Sequence, residues 1–324
     1  MTARIAGTVL GFGVALLALA ASSAAAQEKL VVGYSNLQSS KIPLPIARDA
    51  GLFAKRGLDV ELVRVTPGNT AVPKLLAGEI QIFVGNGDPV AKAAAKDGAK
   101  LTLIASLGED SFQLVARKDI RDAAALKGKR VGISKPGSTA DRVARATLTA
   151  MGLNPDSDVQ ITATNLNNSR ARLDLLLQGG IDATIVDVEN VKALGERGAD
   201  VATVADLSQL GIFISGADIS TTRDLIASRR DTVSRFLAAL VEAIALAKKD
   251  PEIARQAYAK YGEITDKNVL DWRVNEFLPA RIPPIPYPNP KAIAAYLKDV
   301  GSRAAAQDVA DSSLLREIAS AGAR

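Results

Sequence analysis

The stretch Val131-Gly-Ile-Ser-Lys-Pro-Gly-Ser-Thr-Ala-Asp141 decides the fold. Val131–Ser134 has the apolar, β-branched character of the end of a short buried strand. Ser138, followed three residues later by Asp141, has the form of a capping box. Beyond it Ala140, Val143, Ala144, Leu148 and Met151 recur at helical spacing, with Arg142 and Arg145 on other faces. A strand that passes through a Gly/Ser turn into a helix start aims several backbone N–H groups at one point. The helix dipole makes that point attractive to an anion. Taken alone, the junction has a second reading, in which Ser138 and Asp141 satisfy those N–H groups themselves.

The junction recurs, and the recurrence gives it meaning. Tyr34-Ser-Asn-Leu-Gln-Ser-Ser40, with the polar side chains of Asn36, Gln38 and Ser39, follows the strand Leu30–Gly33. Asn86-Gly-Asp-Pro89 follows Ile82–Val84, with Asp88 placed to cap a helix and Pro89 at a first helical position. Asn165-Leu-Asn-Asn-Ser169 follows Val159–Thr164. Four strand ends thus feed four capped helix starts. In an open α/β sheet, ligands bind in the crevice outside the carboxyl ends of the strands, so the pattern reads as a binding cleft.

The first 26 residues stand apart from the other 298 of the 324. Arg4 precedes an apolar run from Ile5 to Ala21, and Ser22-Ser-Ala-Ala-Ala26 leads to Gln27. That is the layout of a secretory signal with a small-residue cleavage site. The run is rich in Gly and Ala, and weaker than the roughly 20 strongly apolar residues a membrane span needs. The remainder is long enough for about two domains. No cysteine occurs, which excludes disulfides, thiolate metal sites and the acylated cysteine of a lipoprotein. The expectation is an exported, non-lipidated protein of a bacterial periplasm. The net charge of +5 comes from 40 basic and 35 acidic residues spread along the chain. Without a basic block, nucleic acid is not an expected partner.

From Glu28 to about residue 205, apolar strands alternate with helical patterns, which predicts a mostly parallel sheet with helices on both faces. The predicted helices include Ile42–Arg56, Ala123–Lys127 and Val191–Arg197, and the last strand-like run is Ile212–Ser215. The alternation occurs twice. Gly33-Tyr-Ser and Gly132-Ile-Ser each end a first strand, while Leu75-Leu-Ala-Gly-Glu-Ile80 and Leu176-Leu-Gln-Gly-Gly-Ile181 each close a later helix. The offsets from Gly33 to Gly78 and from Gly132 to Gly179 are 45 and 47 residues, so two lobes of one architecture are expected. The C-terminal part turns helical, with Val233, Phe236, Leu237, Leu240, Val241 and Ile244 in one apolar stripe. Pro279-Ala-Arg-Ile-Pro-Pro-Ile-Pro-Tyr-Pro-Asn-Pro290 reads as a rigid connector, since each proline removes a backbone donor.

What is missing narrows the chemistry. With no histidine and no cysteine there is no Ser-His-Asp triad, no cysteine nucleophile and no His-ligated metal. Lys135-Pro-Gly-Ser-Thr139 lacks the spacing of a phosphate loop, and Gly85-Asn-Gly87 lacks the third glycine of a dinucleotide fingerprint, so no cofactor is expected. Carboxylates alone can run acid–base chemistry, and Asp88, Asp187 and Glu189 stand at strand ends. A carboxylate-dependent hydrolase or lyase is therefore an alternative to simple binding. With aromatics at 4% and one tryptophan, Trp272, inside an apolar helical pattern, the stacking of sugar rings is not the expected mode of recognition.

Several of these pieces resemble one family. Val32-Gly-Tyr34, Pro45-Ile-Ala-Arg-Asp-Ala-Gly-Leu-Phe53, Gly57-Leu-Asp-Val-Glu-Leu62 and Leu76-Ala-Gly-Glu-Ile-Gln81 are similar to the first lobe of nitrate/sulfonate/taurine-type solute-binding proteins of ATP-binding-cassette (ABC) importers. Leu126-Lys-Gly-Lys-Arg-Val-Gly132, Gly137-Ser-Thr139, Gly152-Leu-Asn154 and Gly180-Ile-Asp-Ala183 continue the likeness in the second. The resemblance implies the α/β, type II periplasmic-binding-protein fold: two doubly wound lobes around a ligand cleft, joined by two crossover segments, with a helical C-terminal part. Lobe 1 would be 28–113 plus 214–324, and lobe 2 would be 114–213.

The resemblance also implies a monomer that holds a small organic anion or zwitterion by hinge closure and docks on an ABC permease and its ATPase. The acidic group would sit on Gly137, Ser138 and Thr139, with Gln38, Asn86, Gly87 and Asn168 as further contacts. Two stretches depart from the family pattern. Asn167-Asn-Ser169 stands where many relatives have Pro-x-Asp, and Asp187-Val-Glu-Asn190 stands where a Trp-Glu-Pro turn is common. The departures leave Asp187 and Glu189 to meet an amine or hydroxyl. The branch that builds the thiamin pyrimidine resembles a histidine- and cysteine-dependent enzyme. Without those residues its catalysis is closed to this chain, although pyrimidine binding stays open. A sensor that presents ligand to a membrane kinase is the remaining alternative.

Overall fold

A computed structural model describes residues 27–322 except 36, 38, 66–69, 97, 110–111, 167, 196–199 and 213–216; of Ser39, Thr139 and Asp299 it describes the backbone alone. The stretch expected to be a secretory signal, Asn36, Gln38 and most of the run Ile212–Ser215 lie outside the described residues. In chain order the strands are β1 (Glu28–Tyr34), β2 (Leu58–Arg64), β3 (Ile82–Gly85), β4 (Leu101–Ser106) and β5 (Phe112–Arg117). Then follow β6 (Arg130–Ile133), β7 (Gln160–Ala163), β8 (Ala183–Asp187), β9 (Val201–Asp206) and β10 (Asp218–Thr222). They build two sheets, ordered β2-β1-β3-β10-β4 and β7-β6-β8-β5-β9.

Each sheet is parallel apart from one strand. β10 runs antiparallel between β3 and β4, and β5 runs antiparallel between β8 and β9. Both odd strands occupy the fourth place, and both shift register once, at Ile219/Ser220 and at Leu114/Val115. The two sheets are therefore the same arrangement built twice. The predicted repeat has a physical basis in its glycines. A Cβ on Gly33 would lie 2.7 Å from Ile80 Cδ1, and one on Gly132 would lie 2.4 Å from Ile181 Cδ1. In each lobe an isoleucine side chain just before the third parallel strand fills the space a side chain on the first would need.

The first six helices are α1 (Pro43–Asp49), α2 (Ala71–Leu76), α3 (Asp88–Lys96), α4 (Thr139–Ala150), α5 (Ser169–Leu177) and α6 (Val188–Lys192). After β10 come α7 (Arg223–Ser228), α8 (Arg230–Lys249), α9 (Pro251–Tyr261) and α10 (Lys267–Trp272). The chain continues through a π-helical turn, Arg273–Phe277, into α11 (Leu278–Arg281), α12 (Pro290–Asp299), α13 (Ala306–Val309) and α14 (Ser313–Gly322). The apolar stripe of α8 packs as its spacing predicts, with Val233, Phe236, Leu237, Leu240 and Ile244 fully buried. Among the described residues no helix is long and apolar enough to cross a membrane.

Several predicted helices are corrected. Ile42–Arg56 is not one helix: α1 ends at Asp49, and the bend carries Phe53 inward to stack on Phe236 at 5.3 Å between ring centres. Ala123–Lys127 forms turns, because Asp122 Oδ1 accepts from Ala125 N (2.9 Å) and Gly128 follows too soon for a helix to propagate. The helix expected at Val191–Arg197 is instead α6, which starts at once after β8. The proline-rich connector opens on the helical turn α11 and then runs extended, Ser106 N donating to Pro286 O at 2.9 Å.

Candidate functional site

At the end of β6 half of the predicted capping box forms, and the returning carboxylate lands one residue early, on Gly137 rather than on Ser138. Ser138 is the N-cap of α4, its Oγ accepting from Asp141 N at 3.2 Å, and Gly137 N donates to Asp141 Oδ2 at 2.8 Å. Asp141 is buried and also accepts from Arg145 Nε (2.8 Å), which itself pairs with Asp156 (2.6 Å). The second reading of this junction therefore applies to Gly137, whose N–H meets the Asp141 carboxylate, and to Ser138, whose N–H donates to Lys135 O at 3.1 Å while its hydroxyl caps Asp141 N. A helix start leaves four N–H groups without an intrahelical partner, and at α4 those of Ser138 and Asp141 are met within the junction itself.

The β3–α3 turn is built differently. Asn86 Oδ1 accepts from Asp88 N (3.0 Å), so Asn86 caps and Asp88 does not. Gly87 N donates to Asp218 Oδ2 at 3.0 Å, and a Cβ there would lie 2.3 Å from the same oxygen. Only glycine permits so close an approach. Asp218 is 1% exposed and also accepts from Tyr296 Oη (3.1 Å) and from Ser106 Oγ. The carboxylate of Asp88 reaches out of its own lobe to Arg142 on α4, at 3.3 Å.

Beyond β7, Asn168 is the N-cap of α5, its Oδ1 accepting from Arg170 N at 2.7 Å. Asp187 accepts from Ser169 Oγ and from Asn190 Nδ2 (3.2 Å). Behind this wall Arg172, 4% exposed, donates to Leu166 O (2.9 Å), Ile185 O (3.1 Å) and Thr184 Oγ1 (3.3 Å). Burial pulls its guanidinium below the ordinary range, and the charge of Asp187 opposes that. Glu189 is ion-paired with Arg273, which is 2% exposed and lies 4.3 Å over the ring centre of Phe277 and 5.0 Å over that of Trp272. Asp187 and Glu189, expected to meet an amine or hydroxyl, each have a partner within the protein. The same holds for Asp88, so each of the three carboxylates suggested for a hydrolase or lyase is committed to a protein partner.

The candidates fall into three sets. Asn86–Asp88 and the start of α4 are brought together across the gap between the sheets, where Asp88 meets Arg142. Asn168, Asp187 and Glu189 stand together at the ends of β7 and β8, at the starts of α5 and α6. Asn36 and Gln38 are outside the described residues, as are the side chains of Ser39 and Thr139. Sequence reasoning missed the cations Arg142, Arg172 and Arg273 and the buried acid Asp218. Arg142 was detectable as a cation one turn into a capped helix, and Arg273 as a charge inside an apolar run. Among the described residues no group of His, Cys, Asp or Glu is arranged to hold a metal.

Residues 38–254 match the family described as NMT1/THI5 like. A candidate binding protein of Brucella abortus (strain 2308) is 26% identical over 267 residues, covering 81% of this chain and 80% of that one. The crystal structure of the periplasmic aliphatic sulphonate-binding protein of Escherichia coli superposes with a TM-score of 0.67 at 21% identity, over 85% of this chain and 91% of that one. A desulfurization enzyme, crystallised as a cysteine-to-serine variant with biphenyl-2-sulfinic acid, superposes with a TM-score of 0.69 at 15% identity, over 91% of this chain and 99% of that one. The fold is that of the type II periplasmic binding proteins, with a helical C-terminal part. On the strength of the match across residues 38–254, the chain belongs to the NMT1/THI5-like family.

Proposed function

We infer that the protein is the solute-binding component of an ABC importer. It takes a small organic anion or zwitterion, such as a sulfonate, a carboxylate or a nitrogen heterocycle bearing an acid group, between its two lobes and shuts by hinge motion. One observation carries the reading: the Asp88–Arg142 contact, which sets the first turns of α3 and α4 against each other across the gap. The N–H groups of Thr139 and Ala140, the positive end of the α4 dipole and the Arg142 guanidinium then share one side of that gap. An acid group placed there meets hydrogen-bond donors and a cation together. The binding role named for the Brucella relative and for the E. coli sulphonate-binding protein supports the same class, as does the signal-like stretch 1–26 for a periplasmic location and a membrane permease as partner.

The desulfurization enzyme shows that the fold also hosts catalysis. This chain has no cysteine and no histidine, and its cleft carboxylates are committed to protein partners, which favours capture over turnover. A panel of sulfonates, carboxylates, nitrate, amino acids and pyrimidines, read by thermal shift, tests the proposal. A true ligand at 100 times its Kd stabilises the fold by about 2.7 kcal/mol. If no member of the panel moves the melting temperature, the receptor reading is wrong.

A further inference from the structure

Among the described residues two ion pairs join the lobes, and their arginines have opposite surroundings. In Asp88–Arg142 the arginine side chain is 43% exposed and the aspartate 17%, so this pair is open to water on its cationic side. Glu189–Arg273 is enclosed: the arginine side chain is 2% exposed and the glutamate 19%. The arginine is bracketed by the rings of Phe277, Trp272 and Tyr258, with centres 4.3, 5.0 and 5.8 Å away. It also stands at the head of the π-helical turn Arg273–Phe277, a local widening of the helix that is common at functional positions. Beside Glu189, Val188 of α6 is buried within the hydrophobic cluster of the first lobe rather than its own. Helix α6 therefore plants an apolar residue and a charge in the opposite lobe.

The positions along the sheets also differ. Asp187, the N-cap of α6, pairs in register with Phe112, the first residue of β5, the strand with which the second sheet begins. The α6 anchor thus sits beside the crossing segment. β6, which leads into α4, lies on the far side of β8 from β5, so Arg142 is further from the crossing. An enclosed pair near the hinge is hard to break, because separation leaves a buried charge unpaired. An exposed pair far from it contributes little and breaks readily.

We propose that α6, through Val188 and the Glu189–Arg273 pair, is a third hinge element about which the lobes pivot, and that Asp88–Arg142 is a breakable clasp at the mouth. Opening then swings the starts of α3 and α4 apart while α6 stays seated. The biological purpose rests on the receptor reading, but the measurement is made without ligand, so failure of one is distinguishable from failure of the other.

The absence of cysteine makes paired spin labels clean. Lys96→Cys with Ala150→Cys reports the mouth, and Lys192→Cys with Asn268→Cys reports the pivot; all four positions are exposed. In ligand-free protein, Asp88→Asn or Arg142→Gln is expected to lengthen and broaden the mouth distance and leave the pivot distance narrow. The exchanged pair Asp88→Arg with Arg142→Asp is expected to restore the mouth distance, which general destabilisation could not do. Glu189→Gln is expected to broaden the pivot distance. The proposal is overturned if the mouth distance ignores both single substitutions, if the exchange fails to restore it, or if breaking the clasp broadens the pivot as much as the mouth. A pivot distance unchanged by Glu189→Gln overturns it equally.

Discussion

Asp182 and Arg130 show how much one side-chain pair can hold. Arg130 Nε and one terminal nitrogen each donate to the Asp182 carboxylate at 2.9 Å, and its remaining contacts reach Gly180 O (2.8 Å) and Gly179 O (2.9 Å). The pair locks the start of β6 to the turn before β8. Hydrogen bonding to Arg130 holds the carboxyl at about 2, below its ordinary 3.8. A depressed folded value means stability present above the unfolded value and lost as pH falls from about 4 to about 2, a loss on the order of 2 kcal/mol. Arg130→Met should lower stability at pH 7 and flatten the acid limb in that window, as urea unfolding at stepped pH would measure. An acid limb unchanged by the substitution would remove Asp182 from the account. Gly87 gives a second residue-scale prediction. Because Asp218 Oδ2 would lie 2.3 Å from a Cβ, Gly87→Ala must push the Asn86–Asp88 turn off its seat. The expected result is a loss of about 1–3 kcal/mol in stability and weaker ligand binding, read from melting temperature and titration of whichever ligand the panel yields. Unchanged affinity would mean that the turn does not shape the site.

At the scale of elements, α4 is where the capping and ligand roles of one helix start compete. Asp141 satisfies Gly137 N and places a negative charge within the first turn, where a bound anion would feel it. Asp141→Asn keeps an acceptor for Gly137 but removes the charge and the Arg145 ion pair. Anion affinity should rise several-fold while stability falls by about 1 kcal/mol, measured by calorimetric titration alongside denaturant unfolding. A fall in affinity would place the ligand's acid group elsewhere. The same helix shows what was legible in the sequence. Its cap, its apolar face and its place after a strand all follow from residue types at fixed spacing, so local chemistry and tertiary packing agree. β10 was illegible for the opposite reason. Asp218-Ile-Ser-Thr-Thr222 is polar, yet Asp218, Ser220 and Thr221 are buried. Asp218 and Thr221 are tolerated there because distant groups pair with them, such as Gln81 O accepting from Thr221 Oγ1 at 2.7 Å. No window of sequence displays such partners. Likewise, Glu189 read as a free acid because Arg273, which neutralises it, is 84 residues away.

For the molecule as a whole, the strand orders fix how the two lobes depend on each other. The second sheet is drawn from one unbroken run, β5 through β9, and its cores, around Leu114, Val131, Leu148 and Ile185 and around Val115, Leu173, Leu176 and Ile181, are drawn from the same run. The first sheet is not so built. β10 arrives only after the whole second lobe, and it stands inside the sheet, paired to β3 by Ile219↔Val84 and to β4 by Ile219↔Ala105. Without it, β3 and β4 face each other across a gap the width of one strand, with their backbone donors and acceptors unpaired. The main core of this lobe also needs α8, whose Phe236, Leu237 and Leu240 lie beyond β10 in sequence. A fragment of residues 112–212 is therefore expected to fold alone, giving cooperative unfolding and dispersed amide resonances, with Val188 as the chief apolar residue newly exposed. A fragment ending before residue 112 should stay unfolded or aggregate through its open strand edges. Adding the two together should not rescue it, because the missing strand and helix belong to neither. If the N-terminal fragment alone shows a cooperative thermal transition, β10 is a late addition to a sheet that closes without it, and the first lobe folds independently of the second.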